Sequence, residues 1–116
     1  MKAVNRCVIV IKAKEPFLDW VNRTDESGVA LTLNEVRQDC TAYLIPEVGD
    51  DEELQEFVEL NYQLLFEQEL EGWVRNEDEW PANRDLHTFL EWFDVEFHSE
   101  VVDLAEGEVL VTEEEF

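Results

Sequence analysis

The amino-acid sequence predicts an α/β (α+β) fold, in which a small mixed β-sheet of three to four strands packs with helices. The predicted order is β-α-α-β-α-α-β, with one further β-strand as the optional fourth. Residues 7–11 are consecutively apolar, as in a strand, and helical patterns alternate with strand patterns along the rest of the chain. The chain has 116 residues, of which 45% are hydrophobic, so it is large enough for one buried core. We expect a single acidic domain over residues 1–112 and a frayed acidic tail over residues 113–116.

The first predicted strand covers residues 6–13. Its apolar run is mostly β-branched, which favours a strand that is buried on both faces and central in its sheet. Pro16 suits the first turn of a short helix, whose inner face would carry Phe17, Leu18 and Val21. Residues 22–29 are polar and form a predicted loop.

A second short helix and a second strand follow. Thr32 and Glu35 have the spacing of a capping box and open a predicted helix over residues 33–38. The next strand covers residues 41–46 and stops at Pro46, which has no N–H to donate. Because a helical segment joins the two strands, we expect them to be parallel if they are neighbours.

The longest predicted element is an amphipathic helix over residues 51–74. Asp50 suits the N-cap, and Glu53 has the position that closes a capping box. The side expected to be buried carries Leu54, Phe57, Val58, Tyr62, Leu64, Leu65 and Phe66. The opposite side carries Glu52, Glu56, Glu59, Gln63 and Glu67. Asn61 and Gln68 interrupt the apolar side, and we expect them to bond neighbouring backbone or to lie at its wet edge.

The last third of the domain contains a helix and a long strand. Trp80 is expected to plug into the domain surface, and Asn83 to cap a helix over residues 84–93. The core stripe predicted for that helix is Leu86, Phe89, Leu90 and Phe93. A strand over residues 95–104 changes its apolar phase near Val101, which predicts a bulge or bend. Residues 109–111 are the predicted fourth strand, hairpinned to the third.

The net charge of the chain limits the classes of partner that it can bind. It has 30 acidic residues against 8 lysines and arginines, for a formal net charge of -22. Such a chain is unsuited to direct binding of nucleic acid or of anionic membranes, and it favours a basic protein as partner. Neither a secretory leader nor a membrane-spanning stretch is recognised in the sequence, and we therefore expect a cytoplasmic protein with reduced cysteines. The sequence does not fix the oligomeric state.

The leading hypothesis is a non-enzymatic protein-interaction module that binds a basic partner through its acidic face. A DNA mimic and an immunity-type inhibitor of a basic toxin both belong to this class. The residues predicted for the interaction surface are Glu52, Glu56, Glu59, Glu67, Trp73 and Trp80. The charge alone has two other interpretations, which are simple solubility and adaptation to high salt.

The alternative hypothesis is a metal-dependent enzyme. Glu96, His98 and Glu100 alternate along a predicted strand, so their side chains share one face, and imidazole flanked by carboxylates suits a divalent transition metal. His87 and Glu91, one helical turn apart, are further candidate ligands. No residue is assigned a catalytic role, and no organic cofactor is expected, because no glycine-rich phosphate loop or nucleophile motif is found.

The two cysteines are considered as a redox pair. Cys7 and Cys40 each begin a predicted strand, so they would be close if those strands were parallel neighbours. They do not form a CxxC motif, and free cysteines are commonly buried without a reactive role.

Two segments carry a resemblance to known proteins. Residues 43–47, YLIPE, and residues 91–94, EWFD, look similar to small acidic bacterial proteins of unknown function. The resemblance implies a bacterial cytosolic protein and brings no functional residues with it.

Overall fold

The computed structural model describes residues 1–108 of the chain and confirms the predicted α+β fold class. Its elements in chain order are β1 (Lys2–Ala3), β2 (Cys7–Ala13), α1 (Glu15–Thr24), α2 (Leu33–Val36), β3 (Ala42–Ile45), α3 (Asp51–Glu71), a 3₁₀ turn (Glu77–Glu79), α4 (Leu86–Trp92), β4 (Phe93–His98) and β5 (Val102–Asp103). The predicted strand over 109–111 and the predicted tail over 113–116 lie outside the described residues. Among the helices of residues 1–108, none is both long and apolar enough to cross a membrane.

The main sheet has three strands in the order β3-β2-β4, so the prediction that the first long strand is central is confirmed. Both pairings are antiparallel, and the conditional prediction of parallel pairing between the first two strands is wrong. The reason lies in the connection. Helix α1 leads away from the end of β2, and Asn22 then holds the returning segment through two hydrogen bonds with the backbone of Leu31, at 3.1 and 2.9 Å. The chain thus re-enters the sheet at the end where it left.

Strand β2 is fully buried on one face only. Alternate residues, Cys7, Ile9, Ile11 and Ala13, are buried, and the residues between them are half-buried. The prediction of burial on both faces is therefore wrong, because the buried core of the domain takes up one set of alternate side chains. An unbroken apolar run does not separate these two cases.

An aromatic cluster holds the helices to the sheet. Phe17 of α1 lies 4.8 Å from Phe93 of β4, measured between ring centroids, and Phe66 of α3 lies 5.6 Å from the same ring in an edge-on arrangement. Phe89 of α4 completes the cluster at 5.3 Å from Phe93. Such ring pairs stabilise a core beyond the area that they bury. Helices α1 and α3, which are distant in the sequence from the contiguous α4 and β4, therefore meet them around one phenylalanine.

Helix α3 begins where the sequence predicts and ends three residues earlier. The Asp50 carboxylate accepts a hydrogen bond from the Glu53 N–H at 2.8 Å, which confirms the N-cap. The other half of the predicted capping box is wrong, because Glu53 Oε2 accepts instead from the N–H of Gly49 at 2.7 Å. Asn61 Nδ2 donates a hydrogen bond to the carbonyl of Phe57 at 2.8 Å, which confirms the prediction that this side chain bonds neighbouring backbone.

The buried side of α3 is rotated relative to the prediction. Leu64 is 55% exposed, so its predicted place in the core is wrong. Leu70, which was not predicted, is fully buried, as is Phe66. Because an α-helix has 3.6 residues per turn, the sequence positions that face the core shift gradually along its length. The C-terminal half therefore presents different positions to the core than the N-terminal half.

The C-terminal helix and strand differ from the prediction in their ends. Helix α4 begins at Leu86, and its N-cap is Asp85, which accepts from the Thr88 N–H at 2.8 Å, so the prediction of Asn83 as cap is wrong. Leu90 is 46% exposed, although it was predicted for the core. The change of phase near Val101 has a simple cause. The chain leaves the main sheet after His98 and forms β5, which pairs with β1 in a separate two-stranded sheet.

Candidate interaction surface and acidic cavity

The outer side of α3 forms a carboxylate surface, which we call the α3 acidic face. It consists of Glu52, Glu56, Glu59 and Glu67, all of which are exposed. Their spacings of four, three and eight residues are each close to a whole number of turns, so they follow one side of the helix. The Asp50 cap and the aromatic cluster fix the two faces of α3 relative to the core. The carboxylates therefore lie on a rigid helix.

Positive side chains do not neutralise the α3 acidic face. Within residues 1–108 the ion pairs are Lys12 with Glu96, His87 with Glu91 and His98 with Glu96, and none of them includes an α3 residue. The one side-chain hydrogen bond within this face is between Gln55 Nε2 and Glu59 Oε1, at 3.3 Å. The like charges repel one another, and a partner that brings positive charge would relieve this repulsion.

Two leucines lie beside these carboxylates. Leu60 is 84% exposed and Leu64 is 55% exposed, and they are one helical turn apart. Glu56 precedes Leu60 by four residues, and Glu67 follows Leu64 by three, so both carboxylates are their neighbours on the helix surface. The α3 acidic face thus has a small apolar edge, which the sequence analysis missed because it placed Leu64 in the core.

The two tryptophans predicted for the interaction surface differ in position. The ring nitrogen of Trp80 donates to the carbonyl of Val74 at 2.7 Å, and its ring packs against the core, with the Arg84 guanidinium 5.6 Å from the ring centroid. The prediction that Trp80 plugs into the domain surface is confirmed. Trp73 is 46% exposed and follows directly after α3. It presents more surface to a partner than Trp80.

The residues predicted for a metal site come together only in part. His98 Nε2 lies 2.8 Å from Glu96 Oε2, and Lys12 Nζ lies 2.8 Å from Glu96 Oε1. Both contacts lower the pKa of Glu96, and the contact with Lys12 has the larger effect. Glu100 follows the end of β4 and is exposed. In the part of the chain that the structure describes, no three His, Cys, Asp or Glu side chains are grouped so that they could hold a metal ion.

The antiparallel pairing separates the two cysteines. Cys7 pairs with Ile45 at one end of β2, whereas Cys40 precedes β3 and lies near the other end, beyond the pairing of Val10 with Ala42. At about 3.3 Å per residue, the three residues from Cys7 to Val10 already span about 10 Å, which exceeds the separation of about 7 Å between Cα atoms that a disulfide can bridge. Both thiols are free, and Cys7 is buried. The expectation that they are close depended on parallel strands and is wrong.

The structure reveals an acidic cavity of about 310 Å³ between β2, α2 and the C-terminal end of α3. Its deep wall is apolar and contains Ile11, Ala13, Phe17 and Val36, all of them buried. The polar part of its lining contains Asp39, Cys40, Thr41, Gln68 and Glu69, and Trp73 completes the wall. Glu69 is the central carboxylate, and its Oε2 accepts a hydrogen bond from the Tyr43 hydroxyl at 2.6 Å.

Burial perturbs two titratable groups at this cavity. Burial raises the pKa of Glu69, and the hydrogen bonds from Tyr43 and Thr41 oppose the rise. Burial, and then the neighbouring Glu69 carboxylate, raise the pKa of Tyr43. Titratable groups with shifted pKa values in a concavity are typical of functional sites, although structural networks can show them too. We therefore treat the acidic cavity as a second candidate site.

Sequence reasoning missed the acidic cavity, but one signal pointed to it. Glu69 follows the buried Leu65 by four residues, so the helical period places this carboxylate on the inner side of α3. A glutamate in that position needs a polar partner. The partner, Tyr43, lies 26 residues away in the chain, and nothing in the sequence indicates the pairing.

A second concavity lies between α3 and α4. This groove of about 300 Å³ is lined largely by apolar side chains, among them Leu54, Val58, Leu86 and Leu90, with Asp51 and Glu59 at its polar part. It explains why Leu90 is only half covered.

Comparisons with protein-family models, with curated proteins and with solved structures find no match to this chain. The resemblance given by residues 43–47 and 91–94 therefore gains no support from them, and the candidate sites must be judged by their own geometry.

Proposed function

We propose that this protein is a non-enzymatic protein-interaction module that binds a basic partner through the α3 acidic face. The observation that carries the proposal is the pair of exposed leucines, Leu60 and Leu64, beside unpaired carboxylates on one rigid helix. Protein interfaces commonly combine apolar contacts with neighbouring polar groups. Here the leucines lie along one edge of the carboxylates, and the negative charge beside them complements a positive surface.

The leucines favour this proposal over the interpretation of charge as simple solubility. Solubility is served by carboxylates alone, and an 84% exposed leucine does not contribute to it. They also favour the inhibitor form over the DNA-mimic form, because a row of phosphates has no apolar groups within it. Trp73 extends the surface that a partner would meet beyond the end of α3.

A pull-down from host lysate at two salt concentrations tests the proposal. We expect a basic protein to be retained at about 0.1 M salt and released at about 1 M, since the Debye length falls from about 10 Å to about 3 Å. A variant with Leu60→Asn and Leu64→Asn should retain less of it. A second variant with Glu56→Gln, Glu59→Gln and Glu67→Gln should retain less and show a weaker salt dependence.

The matched control carries Glu26→Gln, Glu77→Gln and Glu106→Gln, three exposed positions outside α3 with the same total change of charge. It should bind like the unmodified protein. The proposal fails if no basic protein is retained at low salt, if retention is independent of salt, or if the control variant loses binding as strongly as the α3 variant.

The metal-dependent enzyme centred on His98, with Glu96 and Glu100, is the alternative, and it rests on the sequence pattern and on the contact between Glu96 and His98. Elemental analysis of protein purified without chelator tests it. The metal-enzyme hypothesis requires a stoichiometric metal in that protein. It also requires a rise in melting temperature when Zn²⁺ or Mn²⁺ is added, because a ligand that binds the folded state stabilises it.

A further inference from the structure

The acidic cavity has the size and lining of a site for one small cationic group. Its volume of about 310 Å³ is at the low end of the range of about 300–1,000 Å³ for ligand pockets. It therefore suits one side chain or one small molecule, and is small for a nucleotide or a large organic cofactor. None of the four carboxylates of the α3 acidic face lines it, although Trp73, which extends the surface beyond the end of α3, is part of its wall.

The polar lining is rich in hydrogen-bond acceptors and lacks positive charge. Glu69 and Asp39 contribute carboxylates, and Thr41 and Gln68 contribute further oxygens. Among residues 1–108, no lysine or arginine lines the cavity, and none forms an ion pair with Glu69; Lys12 and Arg37 are the cations near the lining Cys40, and Lys12 is paired with Glu96 at 2.8 Å. The Tyr43 hydroxyl bonds one oxygen of Glu69 and supplies no charge. The partly buried carboxylate is thus left without a cation, which is costly for the protein.

The apolar lining favours a guanidinium over a compact ammonium. Trp73 offers an aromatic surface at the wall, and planar guanidinium groups stack on such rings. The deep wall of Ile11, Ala13 and Phe17 can cover aliphatic carbon that accompanies the charged group. A guanidinium has five N–H donors in a fixed plane, which matches a lining with several acceptors, whereas an ammonium has three.

We propose that the acidic cavity binds a guanidinium group, with the Glu69 carboxylate as its main partner and Trp73 as its stacking surface. The group has two sources of the same chemistry, an arginine side chain presented by another protein and a free guanidinium compound. Its carboxylates are distinct from those of the α3 acidic face, so its test does not require the basic partner proposed above.

The test uses small probes and ¹⁵N NMR of the full chain. N-acetyl-arginine amide represents an arginine side chain within a protein, and free arginine represents a soluble ligand. The uncharged isostere N-acetyl-citrulline amide is the control probe. We expect the arginine amide to cause saturable shifts of the Gly72 amide and the Trp73 ring N–H, with at least about tenfold weaker binding of the citrulline probe. Tighter binding by the amide than by free arginine assigns the site to a protein side chain, and the reverse order assigns it to a soluble ligand.

Variants locate the binding. Glu69→Gln should weaken binding of the arginine amide by about tenfold or more. The control is Glu71→Gln, at an exposed position near the end of the same helix that does not line the cavity, and it should leave binding unchanged. Trp73→Leu changes a half-exposed position, so it should weaken binding without unfolding the domain. Binding to this variant is measured from the shift of the Gly72 amide. The proposal is overturned if no saturable shift occurs, if citrulline binds as well as arginine, or if Glu71→Gln weakens binding as much as Glu69→Gln.

Discussion

Leu64 and Leu65 are adjacent in the chain and have opposite environments. Leu65 is 4% exposed within the core, whereas Leu64 is 55% exposed beside the α3 carboxylates. We expect Leu65→Ala to lower the free energy of unfolding by about 2–5 kcal/mol, through lost burial and a cavity. Leu64→Ala should change it by no more than about 1 kcal/mol, as is usual for surface positions. Urea unfolding of both variants measures the difference, and equal losses would contradict the observed phase of α3.

Glu69→Gln should stabilise the domain at neutral pH. Because burial raises the folded-state pKa of Glu69 above its ordinary value of 4.5, the folded protein binds this proton more tightly than the unfolded chain does. The free energy of unfolding therefore falls as the pH rises through the folded-state pKa, and this penalty is absent below the unfolded pKa. Glutamine removes the charge and keeps an acceptor for Tyr43.

The gain from Glu69→Gln should thus be largest near pH 7, should shrink as the pH falls from the folded-state pKa towards 4.5, and should be absent below 4.5. Urea unfolding over this range measures it, with the exposed Glu71→Gln as the control for simple loss of charge. A Glu69→Gln variant that is less stable than the unmodified protein at pH 7 would show that the ionised carboxylate is stabilising.

At the scale of elements, the start of α3 depends on Asp50. Its side chain bonds the Glu53 N–H at 2.8 Å, and three acidic residues in the first turn favour the same helix terminus. Asp50→Ala should cost about 1 kcal/mol, whereas Asp50→Asn keeps an acceptor and should cost less. The two variants are compared by thermal unfolding. Equal losses would mean that the charge of Asp50, rather than its hydrogen bond, stabilises α3.

The element scale also shows where the sequence predicted well. The cap at Asp50, the capping box of Thr32 with Glu35 and the central position of β2 follow from local chemistry, and the structure has all three. The exposure of Leu60 and Leu64 and the pairing of Glu69 with Tyr43 depend on neighbours that are distant in the chain. The composition of the α3 acidic face was therefore predictable, whereas its apolar edge and the acidic cavity were not.

For the whole molecule, the net charge of -22 should make stability depend on salt. Replacement of Glu56, Glu59 and Glu67 by glutamine should raise the melting temperature at low salt, because these like charges repel along one helix. The gain should disappear at about 1 M salt, where screening is nearly complete. Calorimetry at both salt concentrations measures it. A gain that persists unchanged at high salt would have to come from helix propensity or packing.

The sequence by itself determined the α+β class, the element order of the long segments, the N-caps at Thr32 and Asp50, and the acidic outer side of α3. Each follows from short-range periodicity, hydrogen bonding between near neighbours, or composition. Only the tertiary structure decided that the sheet is antiparallel, that Cys7 and Cys40 lie apart, and that Glu69 meets Tyr43 in a cavity. The physical reason is that core packing sets the strand order and the rotation of α3, and both depend on contacts between residues that are far apart in the chain.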